Sequence, residues 1–360
     1  MKILVVSAAA SNEPSSYNQR LLNLKEGLKQ NGVVTEMLYL GDYFFRSPAL
    51  IEALDIPRMR KEIDGYDAVH GGGFVASYVL GLLKKMQRFT LITDVHGCIE
   101  EFHLKMRNFF DLTAYFSYFE QVIAQEVSIK YSDFFITCSK PLRDKLLQRG
   151  IGKSNVEVIR NGVNTDLFKP KGITSDGNKF IVTYAGAFQK WQGIENLVAA
   201  ATLIKAPKVK YKIIGFRKKD QELKNRLKKL LGSKVELIGA LSQSELIDQF
   251  CLSDILIIPR SRHCATQMAF PTKFPEYIAT GKPVIVTDVD ETATFVRKYK
   301  CGFVCKPNVE SIARTILKAK QTSRDALLEM GKNGRFLAES QFDRRVLGEK
   351  YSKYLRKILS

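Results

Sequence analysis

Apolar residues cluster in short runs along this chain, and most runs are followed by a stretch of helical periodicity. Residues 2–7 (Lys-Ile-Leu-Val-Val-Ser) form a strand-length run, and Tyr17 to Gln30 follows with apolar positions at helical spacing until Asn31-Gly32 ends it. Val33 to Leu40, Ala68-Val69, Phe89 to Thr93, Phe134 to Cys138 and Val156 to Ile159 repeat the strand pattern between helical segments. Strands alternating with helices predict a mostly parallel sheet covered on both faces.

The pattern stops near residue 165, where Lys169-Pro170-Lys171-Gly172 and Ser175-Asp176-Gly177 read as a linker. It restarts with strands at Phe180 to Ala185, Tyr211 to Ile214, Val235 to Ile238, Ile255 to Pro259 and Pro283 to Thr287. The expected fold is therefore α/β, with two doubly wound Rossmann-like domains at 1–168 and 178–340. Ligands of such sheets bind beyond the carboxyl ends of the strands, so two sheets placed face to face would share one cleft.

Composition leaves this picture intact. Hydrophobic residues are 45% and charged residues 26%, an ordinary globular mixture. The six cysteines (Cys98, Cys138, Cys251, Cys264, Cys301, Cys305) form no paired CxxC unit, and Cys301 to Cys305 lies in a strand-like stretch. Free buried thiols in a reducing cytoplasm are expected. One charge at Lys2 and about eight apolar residues make a poor export signal, and no run reaches the roughly 18 residues that would span a bilayer.

The net charge of +19 is unevenly placed. Residues 1–175 hold 22 basic and 19 acidic groups and residues 176–360 hold 34 and 18, so the halves carry +3 and +16. A polyanion, an anionic membrane surface and a phosphate-bearing small ligand would each suit a basic second half. Part of the excess lies in Arg217 to Lys234, which reads as a leucine-containing helix with a solvated lysine face.

The strongest local signal runs from Phe270 through Pro271-Thr272-Lys273-Phe274-Pro275-Glu276-Tyr277 to Val286. A loop opens a short helix, Pro271 and Pro275 suit its entry and first turn, and Gly281 suits its C-terminal cap. Glu276 then stands near helix amides that favour phosphate, where a carboxylate can accept both hydroxyls of a ribose; a plain first-turn dipole partner is the other reading. In the first half, Thr93-Asp94-Val95-His96-Gly97 follows a strand and should bring the histidine to the strand's carboxyl end, where it can hydrogen-bond a ligand; a core histidine satisfied by Asp94 is the other reading. His70-Gly71-Gly72-Gly73 follows another strand, its glycines suiting either close ligand approach or a turn.

The stretch 270–286 resembles the nucleotide-binding segment of retaining glycosyltransferases of the GT-B fold, family 4 (glycosyl transferases group 1), in the branch carrying a Pro-Thr/Ser-Lys...Glu-Tyr sequence. Ser139 with Leu142 and Leu146-Leu147, Val158-Ile159-Arg160-Asn161-Gly162-Val163-Asn164, and Tyr184-Ala185-Gly186 through Gly193 resemble the same family in the same order. The resemblance implies that Glu276 binds the ribose, that Gly186 lets backbone approach the diphosphate, and that His96, with Asp94 beside it, lies near the transferred sugar. It also implies that a C-terminal helix at 343–360 crosses back onto the first domain.

Three positions depart from the family pattern. Ala187 and Gln192 stand where an arginine and a lysine usually neutralise the diphosphate, and Met268 stands where a glutamate usually meets the donor sugar. The charge then has to come from elsewhere, with Lys273 favoured because it shares a loop with Glu276, and Arg260 next because it ends a strand; Arg262 is a further candidate. Lys190 and Arg217 read as solvated. Gln267 and Thr272 take the donor-side polar contacts.

No Ser/His/Asp set, metal-ligand cluster or dedicated nucleophile emerges. The reaction implied by the resemblance needs none: the acceptor attacks on the face the nucleotide leaves, and positioning and charge stabilisation supply the rate. The expected partners are a UDP- or GDP-hexose donor and a glycan or lipid-linked acceptor, with no metal, no cofactor and no nucleic acid. The aromatic stretch Phe102 through Tyr131 (Phe109, Phe110, Tyr115, Phe116, Tyr118, Phe119) is expected to pack in the core, the other reading being a lipid or acceptor platform helped by Lys105 and Arg107 at the inner face of the membrane. A sugar-nucleotide epimerase of the same fold, a degenerate non-catalytic homologue and a basic nucleic-acid-binding protein are the alternatives.

Overall fold

The computed structural model describes residues 1–11, 15–42, 56–98, 112–172 and 178–360. Its contacts divide the chain into two units: Met1–Gly162, Met268–Phe270 and Arg344–Ser360 form unit 1, and Val163–Gln267 with Pro271–Asp343 form unit 2.

Unit 1 is built on six parallel strands, β1 Lys2–Ser7, β2 Val34–Tyr39, β3 Ala68–Gly72, β4 Leu91–Val95, β5 Phe134–Thr137 and β6 Val156–Val158, in the order β2-β1-β3-β4-β5-β6. Side chains alternate across a strand, so each run of apolar residues serves both faces of the sheet. On one face Ile3, Ala68, Ile92 and Ile136 pack against Leu24 and Leu28 of the helix Ser16–Gln30 and against Leu347, Tyr351 and Leu355 of the helix Arg344–Leu359. On the other, Leu4, Val6, Val69 and Leu91 pack against Leu80 and Leu83 of the helix Gly73–Leu83. The helices Ser16–Gln30 and Arg344–Leu359 touch backbone to backbone where Gly27 meets Gly348; a Cβ on Gly348 would lie 2.2 Å from Gly27 backbone atoms.

Unit 2 repeats the plan with β7 Phe180–Ala185, β8 Val209–Phe216, β9 Val235–Gly239, β10 Ile255–Ile258, β11 Val284–Thr287 and β12 Gly302–Cys305, in the order β12-β11-β10-β7-β8-β9. Each strand but the last carries a helix to the next: for example, Ser242 and Glu245 close a reciprocal cap on Gln243–Cys251, and Asp290 caps Glu291–Tyr299. Val182, Tyr184, Tyr211, Ile213, Ile255 and Ile257 form its core with Leu197, Leu227 and Ile312 from the helices. The helix Gln221–Leu231 buries Leu227 and Leu231 and exposes Lys228 and Lys229, so the lysines of this stretch do lie on a solvated face. Both units are thus doubly wound, Rossmann-like α/β domains.

Several elements differ from the sequence pattern. β3 continues through His70, Gly71 and Gly72, and β4 is shifted to end at Val95, so His70 lies inside a buried strand and not at its end. Gly71 and Gly72 extend the strand by pairing with Thr93 and Asp94 of β4, and glycine is needed there because side chains would strike Ser77 Oγ at 2.3 Å and Leu21 Cδ1 at 2.6 Å. The stretch Cys301 to Cys305 supplies β12, paired with β11. None of the six cysteines is in a disulfide; five are buried and Cys264 is partly exposed. The core placement expected for the aromatic stretch is corrected in part: the helix spans Leu112–Tyr131 and buries Ala124 and Ser128, but Phe119 is 59% exposed. Lys105, Arg107, Phe109 and Phe110 lie outside the described residues, as do Ser175, Asp176 and Gly177 of the expected linker.

Candidate functional site

Counted from its own first strand, unit 2 has the order 3-2-1-4-5-6, and the order reverses between β7 and β10. The carboxyl ends at such a reversal form the crevice where ligands of open α/β sheets bind. Here the chain leaves β7 at Gly186 and β10 at Pro259-Arg260.

Gly186 has φ 134°, a backbone state that only glycine enters readily, and a Cβ there would stand 2.8 Å from Lys273 Nζ. The ammonium of Lys273 therefore occupies the space a side chain at 186 would need. It donates to Gln192 Oε1 at 3.3 Å and lies 4.2 Å above the ring centroid of Tyr184. Gln192, standing where the resemblance leads one to expect a lysine, instead holds this lysine in place.

Lys273 opens the helix Lys273–Ala279 and Glu276 lies one turn further on. Tyr277 fixes that helix against the end of β7: its hydroxyl accepts from Ala185 N at 2.8 Å and donates to Ala185 O at 3.1 Å. Among the described residues, no hydrogen bond or ion pair engages the Glu276 carboxylate. Burial pushes the Glu276 carboxyl up to about 7 against the opposing charge of Lys273. Burial pushes the Lys273 ammonium down to about 7, with Arg260 adding like-charge repulsion and Glu276 opposing it. Both groups thus titrate near neutrality.

The other expected residues fall in varied places. Arg260 is 4% exposed and its Nη1 donates to Asp290 Oδ2 at 2.7 Å, which makes it a buried anchor beside the crevice. Arg262 is exposed and donates to Asp288 O. Thr272 stands at the cap position of Lys273–Ala279 with helical backbone angles and makes no capping bond. Gln267 is exposed in the short helix Cys264–Met268. The next residues, Met268 to Phe270, group with unit 1, where Ser139 Oγ donates to Met268 O and Asn161 Nδ2 to Phe270 O. Lys190 and Arg217 are exposed.

In unit 1 the strand order reverses between β1 and β3, and the residues leaving β3 and β4 meet there. His96 follows β4 directly; its ring lies 5.0 Å from that of Tyr17, and a Cβ on Gly73 would come within 3.1 Å of its Cε1. Tyr17 joins two strand ends by accepting from Ala8 N at 3.0 Å and donating to Gly72 O. Asp94, expected beside His96 as a reacting group, is instead 0% exposed and bound on both oxygens by Arg20, at 2.7 and 2.8 Å. No face of that carboxylate is open to a ligand. His70 is buried as well, its Nδ1 2.8 Å from Tyr351 Oη and its Nε2 3.7 Å from Asp94 Oδ2.

Burial raises the cost of ionising Asp94, but the adjoining Arg20 charge outweighs it and holds the carboxyl well below its ordinary value. Burial pushes His96 the other way, towards the neutral form, with Asp94 opposing and Arg20 reinforcing. Among the described residues no three His, Cys, Asp or Glu side chains gather as a metal site.

Sequence reasoning missed Arg20, Tyr17, Tyr184 and Tyr277. For Arg20 a signal was present: at helical spacing it falls on the stripe of Tyr17, Leu21, Leu24 and Leu28, and an arginine on an apolar face asks for a buried anion. Tyr184 and Tyr277 carry no such mark, since tyrosines in a buried strand and helix read as core.

Both halves of the chain match a family model: residues 15–167 match Glycosyltransferase Family 4 and residues 166–336 match Glycosyl transferases group 1. An uncharacterized glycosyltransferase of Methanocaldococcus jannaschii is 25% identical over 310 residues, 86% of this chain and 79% of that protein. The structure is similar to that of a sucrose-phosphate synthase from Thermosynechococcus elongatus, with a TM-score of 0.79 and 19% identity over 99% of this chain and 98% of that one. It is also similar to Anabaena HepE in complex with UDP-glucose, with a TM-score of 0.75 and 17% identity over 99% of this chain and 100% of that one.

Proposed function

As a glycosyltransferase in both halves of its chain, this protein starts from a known reaction class, and we propose that it moves a hexose from a UDP- or GDP-sugar to a glycan or lipid-linked acceptor with the anomeric configuration kept. The observation that carries the donor assignment is the arrangement of Lys273, held by Gln192 and Tyr184 over Gly186, with Glu276, unpaired among the described residues, one turn away. The lysine meets the diphosphate, the side-chain-free Gly186 admits its oxygens, and Glu276 accepts from the ribose hydroxyls. The UDP and UDP-glucose complexes of HepE, which shares this fold, support a nucleotide-sugar in this role.

On this reading unit 1 receives the acceptor, and His96 hydrogen-bonds the transferred sugar. The acceptor oxygen forms its bond to the anomeric carbon on the face from which the diphosphate departs, and its proton passes to the leaving phosphate oxygen. Lys273 offsets the charge that grows on that oxygen, so the reading asks for no metal and no covalent enzyme intermediate. Gln267 and Thr272 contact the sugar side of the donor. A lipid-linked acceptor would bring the protein to the inner face of a membrane.

A thermal-shift panel of UDP-, GDP-, ADP- and dTDP-sugars tests the assignment. A ligand at 100 times its Kd stabilises the folded form by about 2.7 kcal/mol. Glu276→Ala should abolish the response to the preferred donor; an unchanged response in that variant removes the ribose role. Product configuration, read from the anomeric proton coupling, tests retention separately.

A further inference from the structure

Arg20 lies on the buried side of the helix Ser16–Gln30 and is 3% exposed. A buried guanidinium persists only when its N–H groups are answered. Nε and Nη2 go to the two oxygens of Asp94, and Nη1 goes to Asn161 Oδ1 at 3.0 Å. Asp94 is the second-last residue of β4, and His96 leaves the same strand two residues later.

Both Asp94 oxygens are thus taken by Arg20, and among the described residues the buried Nδ1 of His96 meets no hydrogen-bond partner, so a proton on that nitrogen would go unanswered. We propose that Arg20 is a positioning residue for His96: by taking both oxygens of Asp94 into a forked ion pair, it denies His96 that partner and presents a neutral imidazole to the transferred sugar. The identity of the sugar as ligand rests on the function proposed above; the state of the imidazole does not.

The groups facing His96 from each packed element agree with this assignment. The helix Ser16–Gln30 contributes Arg20 and the Tyr17 ring, β3 contributes His70, β4 contributes Asp94, and Cys138 beyond β5 donates its thiol to His96 O at 3.5 Å. His70 has Tyr351 for its own partner at 2.8 Å. A neutral ring can give one hydrogen bond and accept another, whereas an imidazolium only donates.

Proton NMR titration of the four histidines, with His96 assigned by its loss in His96→Gln, tests the proposal without any substrate. In the wild type, His96 should titrate below the ordinary value of 6.5. Arg20→Met should move the midpoint up by about one pH unit or more, Asp94→Asn should move it down, and the double variant should return it towards the wild type. Arg20→Lys keeps the charge but loses the fork and frees one Asp94 oxygen, so the midpoint should rise by less than in Arg20→Met while kcat falls at unchanged donor KM. A wild-type midpoint above 6.5, or equal shifts of one sign in Arg20→Met and Asp94→Asn, overturns the proposal. If either variant fails to fold, the wild-type and Arg20→Lys titrations still decide it. If His96 titrates as stated but no sugar-nucleotide binds, the functional reading fails and the electrostatic one stands.

Discussion

At the scale of single residues, the unusual feature is that the two side chains offered to the donor both titrate near pH 7. Lys273 is charged below about 7 and Glu276 above about 7, so the competent pair, ammonium with carboxylate, is most populated around 7 and declines on either side. Affinity for UDP-glucose, followed by calorimetry across pH 5.5 to 8.5, should therefore peak near neutrality, within about one unit. In Glu276→Gln the alkaline rise is removed, and the weakened affinity should only improve as pH falls; a bell surviving in that variant would refute the assignment. Lys273 also costs stability. Its folded pKa is depressed, so the penalty is full below about 7 and fades as pH climbs towards 10.5. Lys273→Met should lose donor binding and yet melt about 2–4 °C higher at pH 6, the gain shrinking at pH 9. The sequence showed which residues were present but not these properties. Lys273 and Glu276 were legible as neighbours in a motif, whereas their near-neutral titration arises from burial among Tyr184, Tyr277 and Arg260, residues distant in sequence or silent in pattern.

At the scale of elements, the two strand-order reversals decide which chain segments meet. Gly186→Ala should be among the most damaging small changes in unit 2, since it places a Cβ 2.8 Å from Lys273 Nζ at φ 134°. We expect a loss of about 1–3 kcal/mol in chemical denaturation together with at least a tenfold weaker UDP-glucose affinity; an unaffected affinity would mean the lysine does not serve the diphosphate. Element existence was largely readable because buried parallel strands are continuous apolar runs, and Phe180 to Ala185 was bounded correctly from sequence. Strand ends were less readable. β3 runs through His70-Gly71-Gly72 because packing against Ser77 and Leu21 overrides the turn tendency of glycine, and β4 ends at Asp94-Val95 because Arg20 supplies the charge that lets an aspartate sit in a buried strand. Neither neighbour is local in sequence, so periodicity had nothing to register.

At the scale of the whole molecule, the two units should respond differently to the donor. If UDP-glucose binds the residues around Gly186, differential scanning calorimetry should show the unfolding of unit 2 moving up with ligand concentration by more than that of unit 1, which meets only the transferred sugar. Movement of the unit 1 transition alone would relocate the site. The charge imbalance of +3 against +16 between the halves favours an anionic ligand in the second half, in line with this expectation. The return of Arg344–Leu359 to unit 1 has a further consequence for how the protein is made. Its residues Leu347, Tyr351 and Leu355, each contributing about 1.5–3 kcal/mol by burial, finish a face of the sheet that begins with Ile3. During vectorial synthesis, then, the ribosome delivers every residue of unit 2 before the helix that closes unit 1, and the sheet of unit 1 must wait, half covered, for a segment made after its neighbour.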